Sequence, residues 1–445
     1  MRFYNREPEL NTLKTLYNQT ERDSCMAVLT GRRRVGKTLL ALEFTKDIPF
    51  VYLFVSKKSE PLLCREYIDE IKNIFDIPII GEIRTFKDIF ALLLDISKKQ
   101  RFTLVIDEFQ EFYFINPSVY SDIQHLWDLN KTRCRLNLIF IGSVYSMMNK
   151  IFQDAKEPLF ARADRILYVK PFKIKTIFEI LTDSGISGMK DLFDIYLFTG
   201  GIPRYIDILV KNSALTYDRV IDLILSEDSP FINEGKNLLI EEFGREYGTY
   251  FSILELISVG KTSRSEIESI MGIQTGGYLE RLEADYNVIS KYKPIDSKPN
   301  SRVVKYRVSD NFLNFWFRFI FRHRSAVETG NFNYIREIID RDYATYSGGI
   351  LERFFHQLFA DSGLYNRIGS YWDKSGQNEI DLVAINDMEK KIVMAEIKLD
   401  KSRIRIGGLK KKSEQLLTAF PGYEPHFMAL GLEDATNYLS INEWV

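Results

Sequence analysis

Five short runs of consecutive apolar residues mark the first part of the chain, and helix-like segments separate them. The runs lie at residues 26–30, 50–55, 102–106, 136–141 and 165–169. Continuous apolar positions are typical of strands covered on both faces, and their alternation with helices indicates a parallel sheet. We therefore predict an α/β domain over residues 1–170, followed by a small helical lid over residues 171–235.

The second half of the chain changes pattern twice. Three short helical segments and two strand-like runs, 288–293 and 303–308, predict a winged helix over residues 236–325. The run 312–321 is apolar at most positions, which predicts a buried connecting helix. Residues 326–445 then predict a second α/β domain, with a helix around 349–359, strands near 366–371, 379–385 and 391–398, and a closing helix and strand.

Composition excludes several classes of protein. The 445 residues hold 60 Lys and Arg against 61 Asp and Glu, so any contact with nucleic acid must come from local patches. Cys25, Cys64 and Cys134 lie far apart and the four histidines are scattered, which argues against disulfides and a zinc site. The N-terminal segment is polar and no apolar run is long enough for a membrane span, so we expect a cytoplasmic protein.

A phosphate-binding motif follows the first predicted strand. It consists of Gly31, Arg32, Arg33, Arg34, Val35, Gly36, Lys37 and Thr38, and matches G-x-x-x-x-G-K-[ST] at every fixed position. Its backbone N–H groups and the following helix N-terminus would face phosphate oxygens. Lys37 would neutralise the β and γ phosphates, and Thr38 would hold Mg²⁺. The segment therefore predicts a nucleotide and Mg²⁺ as cofactors.

An acidic pair, Asp107 and Glu108, ends the third predicted strand. Asp107 would contact Mg²⁺ through water, and Glu108 would orient the attacking water. The pair is also compatible with a simple helix cap. Because nucleotide binding alone does not require Glu108, its presence favours hydrolysis.

The first 240 residues resemble the archaeal-type P-loop ATPases of the AAA+ and STAND group, which also occur in bacteria. Besides the two motifs above, the resemblance rests on residues 3–10, 141–143 and 201–203. It implies ATP as the nucleotide and places Arg6 near the adenine. It also implies that Ser143 hydrogen-bonds the γ-phosphate or its water, and that Pro203 lies where the lid touches the base.

The same resemblance implies an arginine that acts on the nucleotide. Residues 158–162 are similar to the loop that carries this arginine in the family, which makes Arg162 a candidate catalytic residue. Arg165 competes with it for the role of arginine finger. Arg204 is a further candidate for a sensor on the lid.

The third helix of the predicted winged helix is acidic. Residues 278–285 carry three carboxylates and one arginine, a charge that DNA phosphates would repel. Basic residues that would still reach a DNA backbone are Lys261, Arg264, Lys291 and Lys293. Two interpretations stay open: a module for contacts with other domains or proteins, and weak duplex binding without sequence preference.

A second acidic constellation lies near the C-terminus. Asp381 closes the segment Glu379-Ile380-Asp381, and Glu396-Ile397-Lys398 follows fifteen residues later. Residues two apart on a strand share a face, so Glu396 and Lys398 would project together. Carboxylate oxygens suit Mg²⁺ or Mn²⁺, which would activate a water at a phosphate. A surface ion pair is the alternative interpretation.

This arrangement resembles the PD-(D/E)XK nuclease superfamily, and residues 326–445 resemble the domain of unknown function that commonly follows archaeal-type ATPases. The resemblance implies Asp381, Glu396 and Glu352 as metal ligands and Lys398 as the residue that positions the water. Six basic residues between 401 and 412, with no acidic one, would form a track for DNA phosphates.

The sequence therefore supports two hypotheses. In the first, an ATPase slowly hydrolyses ATP and its nucleotide state controls a nuclease-like domain that acts on DNA through backbone contacts. In the second, the chain is a nucleotide-gated regulator that binds a protein partner, or a second copy of itself, through an inactive nuclease fold. A translocating motor is weaker than either, because no segment resembles the motifs with which helicases contact a strand.

Overall fold

The computed structural model describes residues 2–77, 81–244, 247–298, 301, 303–373 and 378–439. These residues form two compact units, Arg2–Pro171 and Phe172–Val445. The first unit corresponds to the α/β segment expected from the sequence. The four-domain division proposed above is finer than these two units and stays a prediction.

The first unit is built on a parallel sheet of five strands in the order β2-β3-β4-β1-β5. The strands are β1 Cys25–Thr30, β2 Phe50–Phe54, β3 Phe102–Asp107, β4 Leu136–Ile141 and β5 Arg165–Tyr168. The helices are α1 Glu7–Gln19, α2 Lys37–Thr45, α3 Glu60–Phe75, α4 Phe86–Lys99, α5 Phe112–Ile115, α6 Ser118–Asn130 and α7 Tyr145–Gln153. The predicted α/β fold class with a parallel sheet is confirmed.

Both faces of this sheet are buried, which explains the continuous apolar runs. Met26 and Val28 of β1 join one hydrophobic cluster, and Ala27 and Leu29 join the cluster on the other face. The parallel register brings the C-terminal ends of β1, β3 and β4 to one edge. The segments that follow these three strands therefore meet at that edge.

The second unit begins with helices and continues with three helices and a hairpin, the outline of a winged helix. The first helices are α8 Ile174–Asp183, α9 Met189–Thr199, α10 Pro203–Lys211, α11 Tyr217–Ile224 and α12 Glu234–Phe243. The winged-helix elements are α13 Tyr247–Ser258, α14 Arg264–Met271, α15 Gly276–Ala284, β6 Ile289–Tyr292 and β7 Lys305–Val308. Strands β6 and β7 pair antiparallel. Part of the turn between them, residues 299, 300 and 302, lies outside the described residues.

A mostly antiparallel sheet of four strands, in the order β11-β10-β9-β8, forms the last part of the unit. In chain order, the strands of this sheet and the helices around them are α16 Asn311–Phe315, α17 Arg324–Glu328, α18 Phe332–Asp361, β8 Arg367–Trp372, β9 Glu379–Asn386, β10 Lys391–Ile397, α19 Ile406–Leu417, β11 Glu424–Leu430 and α20 Thr436–Leu439. Helix α19 packs on the face that carries Val383 and Met394. Only β11 runs parallel to its neighbour, β10.

The two helices before this sheet differ from their predicted form. The apolar run near residue 316 is buried as expected, but it forms α16 and then a π-helix, Trp316–Phe321. Helix α18 has 30 residues and begins at Phe332, well before the predicted start near residue 349. Within the described ranges no helix, α18 included, is both long enough and apolar enough to cross a membrane.

The wing of the winged helix contacts the C-terminal sheet. The Ile295 N–H donates to the Ser370 carbonyl at 2.9 Å, and Arg367 Nη2 donates to the Ile295 carbonyl at 3.2 Å. Lys305 of β7 forms an ion pair of 3.2 Å with Glu379 of β9. The wing thus serves a contact inside the unit, which favours the first of the two interpretations of this module.

Candidate functional site

Left-handed backbone shapes the loop between β1 and α2. Gly31, Arg34 and Gly36 have φ angles of 140°, 72° and 90°. A Cβ atom on Gly31 would lie 2.4 Å from the Val169 carbonyl oxygen, so no larger residue fits there without a shift of the backbone. Helix α2 begins directly after Gly36, and its positive dipole end therefore lies at the loop.

Lys37 spans this loop from the first turn of α2. Its buried ammonium donates to the carbonyls of Gly31 at 2.7 Å and Arg32 at 2.9 Å. The loop therefore curls around one cationic group. This is the geometry that a bound phosphate would meet.

Asp107 at the end of β3 is a buried carboxylate with three hydrogen-bond donors. Its Oδ2 accepts from Thr38 Oγ1 at 2.6 Å and from the Tyr52 hydroxyl at 2.8 Å, and its Oδ1 accepts from the Glu108 N–H at 2.8 Å. The structure thus brings together Thr38 and Asp107, two oxygen donors of the kind that Mg²⁺ prefers. Tyr52 is a further functional candidate that was not predicted from the sequence, because its only signal is its place on the neighbouring strand β2.

Glu108 lies beside Asp107 in left-handed backbone, with φ of 53°. Its Oε1 accepts from Ser143 Oγ at 2.6 Å, and its Oε2 accepts from Gln110 Nε2. Ser143 follows β4, so the adjacency of β3 and β4 makes this contact possible. The structure therefore unites two predicted residues, Glu108 and Ser143, and adds Gln110, which the sequence analysis did not single out.

Arg6, the residue directly before α1, contacts the loop between β1 and α2. Its buried guanidinium donates to the carbonyls of Val35 at 3.2 Å and Lys170 at 2.7 Å, and it pairs with Glu9 at 3.2 Å. Burial lowers the pKa of this arginine, and Glu9 opposes the effect. Arg6 thus ties the loop to the end of β5, while its predicted place near the adenine stays a prediction.

The remaining candidates of the ATPase part lie elsewhere. Among the described residues, Arg162 contacts Asp128 at 3.1 Å and the Phe160 carbonyl at 2.9 Å rather than the loop. Pro203 is the first residue of α10 in the second unit. There the Phe172 N–H donates to the Gly201 carbonyl at 2.7 Å, next to Pro203. The roles expected of Arg162 and Pro203 stay predictions.

In the C-terminal sheet, Asp381 of β9 and Glu396 of β10 lie on neighbouring strands, next to the paired residues Leu382 and Ala395. The register of β9 against β8 shifts at this point, between Gly369 and Tyr371. Asp381 Oδ2 accepts from the Ile397 N–H at 2.8 Å and lies 3.5 Å from Lys398 Nζ. Burial and, to a lesser extent, Glu396 raise the pKa of Asp381, while the Ile397 N–H and Lys398 lower it.

Helix α18 contributes two titratable groups to the same place. Burial, followed by the charges of Asp381 and Glu379, raises the pKa of Glu352 to about 8. His356, one turn later, contacts the Asp381 carbonyl at 2.8 Å, and burial lowers its pKa to about 4. The four predicted residues Glu352, Asp381, Glu396 and Lys398 therefore belong to one cluster.

Lysines pair with two carboxylates of this cluster, Asp381 and Glu396. Glu396 forms an ion pair with Lys412 of α19, a partner that the sequence analysis had assigned to the basic track. Among the described residues no group of three or more His, Cys, Asp or Glu side chains has the arrangement of a metal site. A metal shared by Glu352, Asp381 and Glu396 is therefore a proposal that requires these contacts to rearrange.

Ion pairs also engage part of the predicted nucleic-acid contacts. In the track after Lys398, Lys401 pairs with Asp434 and Arg403 with Asp400, while Arg405, Lys410 and Lys411 are exposed. In the winged helix, Lys261, Arg264 and Lys291 pair with Glu266, Glu268 and Glu283 respectively. The C-terminal track thus offers more exposed positive charge than the winged helix does.

The fold and site of the first unit define a P-loop nucleoside triphosphatase. Residues 3–209 match a family described as an ATPase domain predominantly from Archaea. Residues 316–413 match a family of archaeal and bacterial proteins of unknown function. The chain therefore carries an archaeal-type ATPase domain, followed by a match to this second family in its C-terminal part.

One relative and two solved structures are similar to this chain. An uncharacterized protein of Methanocaldococcus jannaschii is 28% identical over 406 residues, which are 89% of this chain and 87% of the relative. A Walker-type ATPase of Pyrococcus abyssi has a similar fold, with a TM-score of 0.55 and 18% identity over 71% of this chain and 96% of its own. Cdc6p of Pyrobaculum aerophilum matches with a TM-score of 0.38 and 17% identity, over 76% of this chain and 95% of its own.

The raised pKa of Glu352 predicts a pH-dependent stability. The folded chain keeps a proton on Glu352 that the unfolded chain releases above its ordinary pKa of 4.5. Wild type should therefore lose stability relative to Glu352→Gln as the pH rises from about 5 to about 8. Denaturant midpoints in EDTA would measure this, with Glu389→Gln as an exposed control. A difference between wild type and Glu352→Gln that does not change with pH would contradict the assignment.

Proposed function

We propose that the first unit binds ATP with Mg²⁺ and hydrolyses it slowly. The observation that carries this proposal is the convergence of Lys37, Thr38, Asp107, Glu108 and Ser143 at one edge of the parallel sheet. These residues come from the ends of three adjacent strands. The match of residues 3–209 to an ATPase family supports the same conclusion.

Each residue has a separate task in this proposal. Lys37 neutralises the β and γ phosphates, and Thr38 and Asp107 hold Mg²⁺, which when bound offsets the negative charge of the phosphates. Glu108 orients the attacking water and accepts its proton, and Ser143 with Gln110 fixes the direction of the Glu108 carboxylate. The rate is expected to be low because Arg162 lies among contacts away from the loop.

Lys37→Ala should weaken ATP binding by about tenfold or more, because it removes a charge-assisted contact to phosphate. Lys46→Ala is the matched control, since the exposed Lys46 follows α2 and forms a 3.8 Å ion pair with the half-buried Glu43. Titration calorimetry with Mg²⁺ and ATP would measure both. Equal affinities of Lys37→Ala and wild type would refute the phosphate-binding role.

Glu108→Gln should preserve ATP affinity and slow hydrolysis by about a hundredfold or more, because only the proton acceptor is lost. Phosphate release under saturating ATP measures the rate, and calorimetry measures the affinity. Glu66→Gln, an exposed glutamate on α3, is the control. If Glu108→Gln hydrolysed ATP as fast as wild type, another residue would have to orient the water.

We propose further that α18 couples the lid to the C-terminal cluster. Toward its N-terminal end, Arg336 pairs with Asp218 and Asp222 of α11, and Tyr343 donates to Asp194 of α9. One face of its C-terminal half packs Phe354 against Phe193 and Tyr196 of α9. The same half carries Glu352 and His356 into the cluster around Asp381. A shift of the lid would therefore reach these residues through one continuous helix.

The C-terminal cluster is proposed to act as a metal-dependent nuclease-like site on DNA. Asp381 and Glu396 would hold Mg²⁺ or Mn²⁺ with support from Glu352, and Lys398 would position a water at the phosphate. The exposed Arg405, Lys410 and Lys411 would contact the DNA backbone. This proposal rests on the 3.5 Å distance between Asp381 and Lys398 and on the charge of Glu396, which raises the pKa of Asp381.

One contact favours the alternative function. Lys412 pairs with Glu396 and so occupies a carboxylate that a metal would need. If this pair persists in every nucleotide state, the domain keeps its fold without cutting. The chain would then be a nucleotide-gated protein whose C-terminal domain binds a partner.

A plasmid assay with Mn²⁺ and ATP separates the two functions. Asp381→Ala and Glu396→Ala should abolish nicking, because each removes a metal-binding oxygen, whereas Lys398→Ala should lose most of the rate and still bind metal. Glu389→Ala, an exposed glutamate that pairs with Lys391 at the other end of β10, should nick like wild type. Absence of nicking by wild type, or equal nicking by Asp381→Ala, would favour the partner-binding function.

A further inference from the structure

A cavity of about 190 Å³ lies within the second unit, among the wing hairpin, the π-helix and α18. Three arginines from three different elements line it: Arg307 of β7, Arg318 of the π-helix and Arg353 of α18. Tyr292, His356 and Glu352 also line it. The cavity therefore adjoins the C-terminal cluster through Glu352, although none of its arginines belongs to that cluster.

Two of the arginines have no ion-pair partner among the described residues. Arg307 donates to Ser290 Oγ at 3.2 Å and lies over the Tyr292 ring at 5.1 Å. Arg353 donates to the Val308 carbonyl at 2.9 Å. Each of the two hydrogen bonds uses one guanidinium nitrogen, and the ring contact uses none. Most of the five N–H groups on each of these two arginines can therefore donate to another acceptor.

The positive charge of the third arginine, Arg318, is only partly balanced by a nearby carboxylate. Arg318 donates to the Ser258 carbonyl at 3.2 Å and lies 3.8 Å from Asp342. Its Nε is buried without a hydrogen-bond partner among the described residues. A buried N–H without an acceptor is costly, and native proteins rarely retain one without a reason.

The charges in the cavity repel one another. Burial, and then the nearby Arg353, lowers the pKa of Arg307. Glu352 also lines the cavity and raises the pKa of Arg307, but burial and Arg353 outweigh this effect. Like charges that are only partly balanced in a half-buried site destabilise a fold, so an anion that enters the cavity would relieve this repulsion.

We propose that this cavity binds a single phosphate group. Guanidinium forks match the oxygens of phosphate, and three of them converge on the cavity from separate elements. The volume is below the roughly 300 Å³ at which sites for whole small molecules begin. The ligand is therefore one oxyanion group and not a complete nucleotide.

The phosphate group has two candidate sources. The group is either free inorganic phosphate or the terminal phosphate of a nucleic-acid strand that reaches the neighbouring cluster. In the second case the inference rests on the proposed action on DNA, and it makes the domain selective for phosphorylated ends. In the first case it is independent of that function.

Calorimetric titration of full-length protein with inorganic phosphate, against KCl of equal ionic strength, tests the site. Wild type should bind phosphate saturably, and Arg307→Gln and Arg353→Gln should weaken binding by about tenfold or more. Arg219→Gln, an exposed arginine on α11, is the control and should bind like wild type. Lys37→Ala should also retain this binding, which separates the cavity from the ATP site.

Competition with short oligonucleotides that carry a 5′-phosphate or a 5′-hydroxyl identifies the source. Preferential displacement of phosphate by the phosphorylated strand assigns a strand end, and equal weak competition by both assigns free phosphate. Arg307→Lys and Arg353→Lys keep the charge and should show intermediate affinity if the Gln variants do not fold. No phosphate binding by wild type beyond the KCl control, or binding unchanged in a folded Arg307→Gln or Arg353→Gln, overturns the proposal.

Discussion

The carboxylate of Asp107 is the group on which the nucleotide site depends. A buried charge is stable only with hydrogen-bond donors, and Asp107 receives them from Thr38 at the start of α2, from Tyr52 of β2 and from the Glu108 N–H. These contacts join the phosphate loop to two strands of the sheet. The parallel direction of the strands brings their C-terminal ends to the same edge, and the order β2-β3-β4-β1-β5 makes β3 the neighbour of both β2, which carries Tyr52, and β4, which precedes Ser143.

In the C-terminal cluster, the acidic side chains have a different kind of partner. Asp381 is held by a backbone N–H and Lys398, and Glu396 by Lys412. Ammonium groups are mobile partners, because long side chains lose little when they exchange one contact for another. The cluster is therefore suited to a ligand that replaces a lysine. At the ATP site, in contrast, the buried carboxylate of Asp107 accepts from the hydroxyl groups of Thr38 and Tyr52 and from a backbone N–H. The arginine cavity is a third case, in which Arg307 and Arg353 have no ion-pair partner among the described residues.

The sequence predicted the elements of the first unit well because strands buried on both faces leave continuous apolar runs. It also predicted the phosphate loop and Asp107, since these follow such strands. It did not predict Tyr52, because that contact depends on which strands are neighbours. The sequence also placed Lys412 in a solvent-exposed track, because the packing of α19 beside β10 leaves no mark in local composition.

Helix α18 shows the same limit for a whole element. Its second half has a regular apolar stripe and was predicted, whereas its first half carries charged and aromatic residues such as Arg336 and Tyr343. Considered alone, these residues predict an exposed polar surface. In the structure they contact Asp218, Asp222 and Asp194 of the preceding helices. Ile335, Ile338 and Ile339 are also buried at helical spacing in this half, so an apolar stripe and tertiary contacts together support the longer helix.

Amide hydrogen exchange tests most directly whether nucleotide state reaches the C-terminal cluster. The measurement compares the full chain without nucleotide, with Mg²⁺ and ADP, and with Mg²⁺ and a non-hydrolysable ATP analogue. The account predicts that exchange along α18, Phe332–Asp361, changes with the nucleotide in wild type and does not change in Lys37→Ala. Changes confined to the phosphate loop and the end of β3, with α18 unaffected in every state, would contradict the coupling.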